Sequence, residues 1–375
     1  MSKKSGIITI WGSENYGAIL QAYALQTVLS DLGVENEIIR FNDSGYYRYI
    51  HRGMLFRQFL SMLRTSLRSW LVGTTRGERT ACFRRDRMKL SEDFYGENGK
   101  SLQDTLSIYD NFIVGSDQVW RPGFLDFGSD YLLAFVDGTH KKIAYAPSFG
   151  VANIPEKYHP IYKKHLSLFD AVSVREKNAV SLVEQLCGFT PSHVLDPTLL
   201  LDRSQWDNVT VAPKIKTPYI LCYFMPGNKA NDQLMTKTAN HISRLAKLPV
   251  VWLGAKEYLA LLPWYRSVFD AGPQEFLGWM RNASYIVTNS FHGTCFSMNF
   301  QVPFLSIVTS HNKNMNLTSR ISSLLEITGL EERGVGVETK LPALNELNMD
   351  FSNSTEKLKQ QREKSMQYLK NALEN

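Results

Sequence analysis

Between residues 6 and 328 the chain repeats one pattern: a short apolar run, a polar loop, then a stretch with helical spacing. Runs of four to eight apolar residues alternating with helical patterns are the signature of βα units around a parallel sheet, because such strands are covered on both faces. Gly6–Trp11 reads as the first strand and Ala18–Leu32 as a helix that Gly33 closes as a C′ glycine. Strands follow at Val34–Phe41, Tyr109–Val114, Lys142–Ala146 and Ala171–Val174, the last leading into a helix over Asn178–Leu186. Asp207–Pro218 holds Pro213 and Pro218 with little apolar pattern, and reads as a seam. The alternation then restarts: strands at Tyr219–Phe224, Val250–Leu253, Tyr285–Val287 and Pro303–Val308, helices at Asn231–Ala246, Phe276–Ala283 and Ser319–Ile327. A charged helix over Asn353–Leu373 closes the chain, with Glu356 placed for a capping box. The expectation is an α/β protein of two Rossmann-like domains, 1–206 and 214–345, facing a cleft.

At 375 residues, 43% apolar and 21% charged, the chain has the composition of an ordinary globular protein of two domains. Its net charge of +6 is local in origin. Residues 46–89 carry eleven Lys and Arg against two acids, while the remainder holds 31 basic and 34 acidic residues. Basicity therefore argues about one surface and not for a nucleic-acid binder. Within that span, residues 54–71 place Phe56, Phe59, Leu60, Leu63, Leu67, Trp70 and Leu71 on one stripe, with Arg57, Arg64 and Arg68 off it. This basic amphipathic helical insertion reads either as a solvated face or as a contact with an anionic membrane surface or a diphosphate-linked lipid. No nucleic-acid motif accompanies it. The cysteines at 82, 187, 222 and 295 form no CxxC pair and no disulfide framework, which points to a reducing, cytoplasmic setting. The first residues lack the apolar core of a signal peptide, and no apolar stretch approaches the ~20 residues of a spanning helix.

Polar loops after the apolar runs mark the candidate site, since open α/β sheets bind ligands outside the carboxyl ends of their strands. Asn289–Thr294 follows the 285–287 strand and opens a helix-like stretch, so His292 falls at a helix N-terminus, where unpaired N–H groups and the dipole favour an anion. The competing reading has Ser290 as a cap and His292 as a surface histidine. Gly12–Gly17 lacks dinucleotide GxGxxG spacing and reads as a ligand loop or a tight turn. Gly115–Gly123 supplies Asp117, either a hydroxyl acceptor or an Asx-turn residue. Arg175, at a strand end beside a helix start, is placed to grip a carboxylate or phosphate bidentately, or else pairs with Glu176 at the surface. No Asp/His cluster has metal-ligand spacing, so no metal and no cofactor is expected.

Taken in order, Asn15-Tyr16-Gly17-Ala18 with Gln21, Gly115-Ser116-Asp117-Gln118-Val119-Trp120, Ser173-Val174-Arg175-Glu176, Asp196-Pro197-Thr198, Ser290-Phe291-His292-Gly293, Pro303-Phe304 and Ser319-Arg320 make the chain resemble the polysaccharide pyruvyl transferase family. The resemblance implies a GT-B-like fold with the C-terminal helix, 352–375, returning to the N-terminal domain. It implies transfer of pyruvate from phosphoenolpyruvate to a sugar, as a cyclic ketal, on a surface or capsular polysaccharide or its polyprenyl-diphosphate-linked precursor. Family members use an Arg-Leu-His segment and an upstream arginine around the donor. Here His292 matches the histidine and Arg175 the upstream arginine, while Ser290 and Phe291 replace the arginine and leucine. Lys313 or Arg320 then supplies the missing cation. The resemblance places His292 and Arg175 at the donor; with Asp117, read from its strand-end loop as a hydroxyl acceptor, they are the candidate catalytic residues. Ser290, Phe291, Gly293, Thr294, Lys313 and Arg320 are expected at the donor, and Asn15, Tyr16, Gly17, Ser116, Gln118 and Trp120 at the acceptor. A nucleotide-sugar glycosyltransferase and a non-catalytic glycan-binding protein are the alternatives, told apart by release of nucleoside diphosphate or by absence of turnover.

Overall fold

A computed structural model describes residues 3–41, 75–94, 100–225, 229–253, 266–308 and 317–374. The expected amphipathic helix at 54–71 and Lys313 lie outside these residues. The chain divides into two compact units, one of residues up to 197 together with those from 364 onward, the other of residues 198–363.

The first unit is built on a seven-stranded parallel sheet among the described residues. Its elements are β1 (Lys4–Ile8), α1 (Tyr16–Asp31), β2 (Glu35–Phe41), α2 (Arg76–Arg87), β3 (Leu90–Phe94), β4 (Asn111–Val114), β5 (Lys141–Ala144), α3 (His159–Leu166), β6 (Ala171–Val174), α4 (Lys177–Cys187) and β7 (Ser192–His193). The strand order β3-β2-β1-β4-β5-β6-β7 reverses between β1 and β4, which makes the carboxyl ends of those two strands the switch point of the sheet. Ile7, Ile8, Phe112, Ile113, Val114, Ile143 and Ala144 are wholly buried, as strands covered on both faces require. α1 is buried nearly all round. The Asn15 side chain caps it by accepting from the Gly17 and Ala18 N–H groups. Gly33 closes it at φ +76°, with Gly33 N–H on Ser30 O and Val34 N–H on Leu29 O, a Schellman arrangement. β1 stops at Ile8, short of the expected Trp11. Thr9 turns out of the ladder, its hydroxyl donating to Ser116 O at 3.3 Å and accepting from Gln21 Nε2 at 2.9 Å.

The second unit holds a six-stranded parallel sheet among the described residues, in the order β10-β9-β8-β11-β12-β13. Its elements are α5 (Arg203–Asp207), β8 (Ile220–Tyr223), α6 (Lys229–Ala246), β9 (Val250–Leu253), β10 (Arg266–Val268), α7 (Pro273–Arg281), β11 (Tyr285–Thr288), α8 (Phe291–Asn299), β12 (Phe304–Ile307), α9 (Leu317–Thr328), β13 (Gly334–Val335), α10 (Leu344–Leu347) and α11 (Ser352–Glu374). Here the order reverses between β8 and β11. Both units are therefore Rossmann-like.

The boundary between units falls at 197/198, not in the Asp207–Pro218 seam. Trp206 explains the difference: it is fully buried, donates from Nε1 to Thr198 O at 3.1 Å and stacks edge-on against Phe296 at 5.0 Å. The stretch expected to be a linker is likewise pinned to α7, through Arg281 to the Asp207 carboxylate and Val211 N–H to Gln274 O. α11 begins at Ser352, whose N–H and hydroxyl meet Asp350 Oδ1, so Asn353 sits inside the first turn and is not its cap. From residue 364 the helix belongs to the first unit. There Ser365 Oγ accepts the Leu195 N–H at 2.9 Å and the Tyr368 hydroxyl donates to Ala144 O at 2.9 Å.

Candidate functional site

In the first unit the loops after β1 and β4 meet at the switch point, and Gln21 joins them. Its Nε2 donates to Thr9 Oγ1 at 2.9 Å and Ile10 O at 3.2 Å, while its Oε1 accepts the Ser116 N–H at 3.0 Å. The Gly115–Ser116 peptide is cis, and Asp117 has φ +67°. Gly115 has no room for a side chain, since a Cβ there would lie 2.0 Å from Tyr145 O. Ser116 Oγ stands 2.9 Å from Ala146 O and 3.1 Å from Asp196 Oδ2. Asp117 is held through its own carbonyl, which accepts the Ser148 N–H at 2.8 Å.

Arg175, directly after β6, reaches into this loop. Its Nη1 donates to Asp196 Oδ2 at 2.7 Å and its Nη2 to Asp117 Oδ1 at 3.4 Å. The side chain is 1% exposed. Burial works against the cation, but Asp196, Asp117 and Glu176 outweigh it and hold the guanidinium above its ordinary range. Arg175 therefore does not present an open bidentate grip, as its sequence position suggested, nor does it pair at the surface. It is committed to two protein carboxylates and supports the loop that carries Asp117. Glu176 turns inward as well, its Oε1 accepting from Ser148 Oγ at 2.8 Å and from the Phe149 N–H at 3.1 Å.

The other expected acceptor residues differ in burial and in partners. Asn15 is the cap of α1. Tyr16 is buried, with the Arg76 guanidinium 4.2 Å above its ring. Gln118 is half-buried, and its Oε1 accepts from Arg121 Nη1 at 2.8 Å. Trp120 is a core residue, 1% exposed and packed on Phe149, with Nε1 donating to Tyr131 O at 3.0 Å. A residue buried to that degree does not contact an acceptor, so its assignment is corrected. The sequence reading missed Arg76 and Arg84. From α2 they donate to Glu14 O and Ser13 O and lie over Tyr16 and Trp11. They clamp the loop after β1. The signal available was Thr75-x-x-Glu78, which does form a capping box and starts α2.

In the second unit the switch point is built from the ends of β8 and β11. Asn289 pairs both ways with the Met225 backbone, each bond 2.8 Å. The Thr288 hydroxyl donates to Tyr223 O at 2.9 Å and accepts the Ser290 N–H at 3.0 Å. Ser290 caps α8 by accepting from the Gly293 N–H at 3.3 Å. Thr294 turns inward, its hydroxyl 3.1 Å from Ser290 O and 2.8 Å from Ser306 Oγ, so its side chain fastens the helix to β12 and does not reach a ligand. His292 is 7% exposed, which sets aside the reading of it as a surface histidine. Its ring packs edge-on to Phe291 at 5.2 Å, and the Arg320 guanidinium of α9 lies 6.0 Å from the same phenyl ring. A histidine, an arginine and a helix N-terminus thus adjoin one residue, Phe291. Among the described residues no group of three or more His, Cys, Asp or Glu could hold a metal ion.

The family model described as polysaccharide pyruvyl transferase matches residues 15–311. No curated protein sequence matches the chain. Among solved structures, the UDP-GlcNAc 2-epimerase from Methanocaldococcus jannaschii aligns at 12% identity over 96% of this chain and 92% of its own, with a TM-score of 0.50. The S. aureus MnaA–UDP co-structure aligns at 13% identity over 96% and 88%, with a TM-score of 0.51. At such identities the likeness is one of fold, two Rossmann-like domains of GT-B type.

Proposed function

The chain belongs to the polysaccharide pyruvyl transferase family, and on that premise we propose that it moves the pyruvyl group of phosphoenolpyruvate onto two hydroxyls of a sugar, as a cyclic ketal, in surface polysaccharide biosynthesis. The acceptor in this reading is a polyprenyl-diphosphate-linked precursor, met at the cytoplasmic face of the membrane through the basic 46–89 stretch. Among the described residues no helix is long and apolar enough to cross a membrane.

The observation that carries the reading is the arrangement around Phe291. Phosphoenolpyruvate brings a phosphate and a carboxylate, so its site needs cations and N–H donors. Arg320, the N-terminus of α8 and His292 have that chemistry. The acceptor hydroxyl needs a carboxylate within reach, and Asp117, held by Arg175 and the Ser148 N–H, has that chemistry. The reaction balances without a cofactor. One sugar hydroxyl bonds to C2 while C3 takes a proton and becomes a methyl group. The C2–O bond to phosphate breaks, and the second hydroxyl closes the ketal. One hydroxyl proton balances that gained at C3, and the other leaves with phosphate. Asp117 accepts the proton of the attacking hydroxyl. His292 serves C3 or the departing phosphate, a contribution of about 10²–10⁴ in rate.

The test combines purified protein, phosphoenolpyruvate and a glycolipid extract from cells lacking this protein. Phosphate release, with the mass of a pyruvate ketal gained on one sugar, is expected. Release of nucleoside diphosphate from a nucleotide sugar, with none of phosphate from phosphoenolpyruvate, would replace pyruvyl with glycosyl transfer. His292→Ala turning over at the normal rate would remove His292 from the mechanism.

A further inference from the structure

Asp196 carries no role in the chemistry above, yet it is the most deeply buried carboxylate in the first unit's cluster. Its side chain is 0% exposed, so no substrate touches it. One oxygen, Oδ2, is shared by two partners: Arg175 Nη1 at 2.7 Å and Ser116 Oγ at 3.1 Å. Each partner leads to Asp117. Arg175 reaches it from its other nitrogen, Nη2, at 3.4 Å. Ser116 precedes it in the chain and is fixed on the opposite side by Gln21, which accepts its N–H at 3.0 Å. Asp117 alone among the three charged groups reaches solvent, at 12% side-chain exposure against 1% for Arg175 and 0% for Asp196.

We propose that Asp196 is a positioning residue for Asp117, holding the cation that faces its carboxylate and the serine that carries its backbone. The inference rests on the reading in which Asp117 accepts the hydroxyl proton of the acceptor. An isolated buried carboxylate is costly, and this one is compensated at Oδ2 by a guanidinium and a hydroxyl. With Asp196 neutralised, Arg175 and Ser116 lose the group that fixes them, and Asp117 is no longer held in place for proton transfer while remaining able to hydrogen-bond the sugar.

The experiment is a double-mutant cycle on phosphate release, with phosphoenolpyruvate and the glycolipid extract from cells lacking this protein. Asp196→Asn keeps the shape and a hydrogen-bonding oxygen and removes the charge. It is expected to lower kcat about 10–100-fold, the usual scale for a group acting through another, with the KM values of donor and acceptor near those of the parent. In an Asp117→Asn background the same change is expected to cost nothing further, because Asp196 then has no base to position. A purely structural role would instead slow both backgrounds by the same factor, which overturns the proposal, as does a fully active Asp196→Asn. If Asp117→Asn itself turns over normally, the reading of Asp117 falls and this proposal with it. If only Asp196→Asn is silent, the reading of Asp117 stands. Should Asp196→Asn not fold, Ser116→Ala takes its place, with a smaller loss that must also vanish when Asp117 is replaced.

Discussion

Gly293→Ala tests how tightly α8 is seated on β11. At the third helical position an alanine would ordinarily help, since alanine exceeds glycine in helix propensity by about 1 kcal/mol. The local packing opposes this. A Cβ at 293 would lie 2.3 Å from Thr288 Oγ1, 3.1 Å from Thr288 Cβ and 3.0 Å from Tyr223 Cδ1. Thr288 is wholly buried, and its hydroxyl cannot turn away without giving up both its bond to Tyr223 O and the one it accepts from the Ser290 N–H. Two such bonds contribute about 2 kcal/mol together, and overpacking adds about 1–3 kcal/mol. Set against the propensity gain, the net is a loss of about 2–4 kcal/mol. For a unit of this size that lowers the melting temperature by roughly 5–15 °C, readable by circular dichroism. Because Ser290 is fastened to Thr288, the first turn of α8, which bears His292, shifts too, and a displacement of about 1 Å can cost about 10²-fold in rate. Adding Thr288→Ala removes the overlapping oxygen, so the double variant should be less destabilised than the sum of the singles. A Gly293→Ala protein that melts at or above the parent would refute the reasoning, since propensity would then have won.

Trp120→Phe should lower stability by about 1–3 kcal/mol, through the lost bond to Tyr131 O and a poorer fit, while leaving the acceptor KM unchanged; a raised KM with normal melting would return Trp120 to the site. Arg76→Ala and Arg84→Ala each remove a ring contact and a carbonyl bond, so faster amide exchange at residues 13–15 and a severalfold higher acceptor KM are expected, measured by hydrogen exchange and kinetics. Asp202 caps α5, and its carboxyl is held below the ordinary range by the Gln205 N–H and then by the Ser204 hydroxyl. A depressed folded value means that its stabilisation is present above the unfolded carboxylate pKa and is lost as pH falls through the folded one. Asp202→Ala should therefore cost about 1 kcal/mol at neutral pH, with the gap in melting temperature narrowing in acid.

Local pattern was enough to mark most strands, most helices and the loops of the candidate site, but not the short or edge strands at Leu90–Phe94, Ser192–His193, Arg266–Val268 and Gly334–Val335. The Ala171–Val174 and Val250–Leu253 strands stand where their apolar runs end, and Gly33 and Ser290 do the capping that their positions announce, because caps and buried parallel strands depend on neighbours a few residues away. The chain's own order of motifs also placed it in its family. What local pattern could not supply was the partner of each polar group. Arg175 at a strand end looks like an open anion grip until Asp196, 21 residues on, and Asp117, 58 residues back, are seen to occupy it. Trp120 in a polar loop reads as a ligand wall until Phe149 and Tyr131 enclose it. Residues 198–206 read as the end of one domain until Trp206 packs on Phe296. In each case the residue type set the strength of the interaction, and only the packing of distant segments set its direction. The sequence by itself therefore determined the βα alternation, the caps and the location of the loops. Tertiary structure decided which charges reach solvent and which are satisfied within the protein, because burial and ion pairing are properties of the assembled sheet.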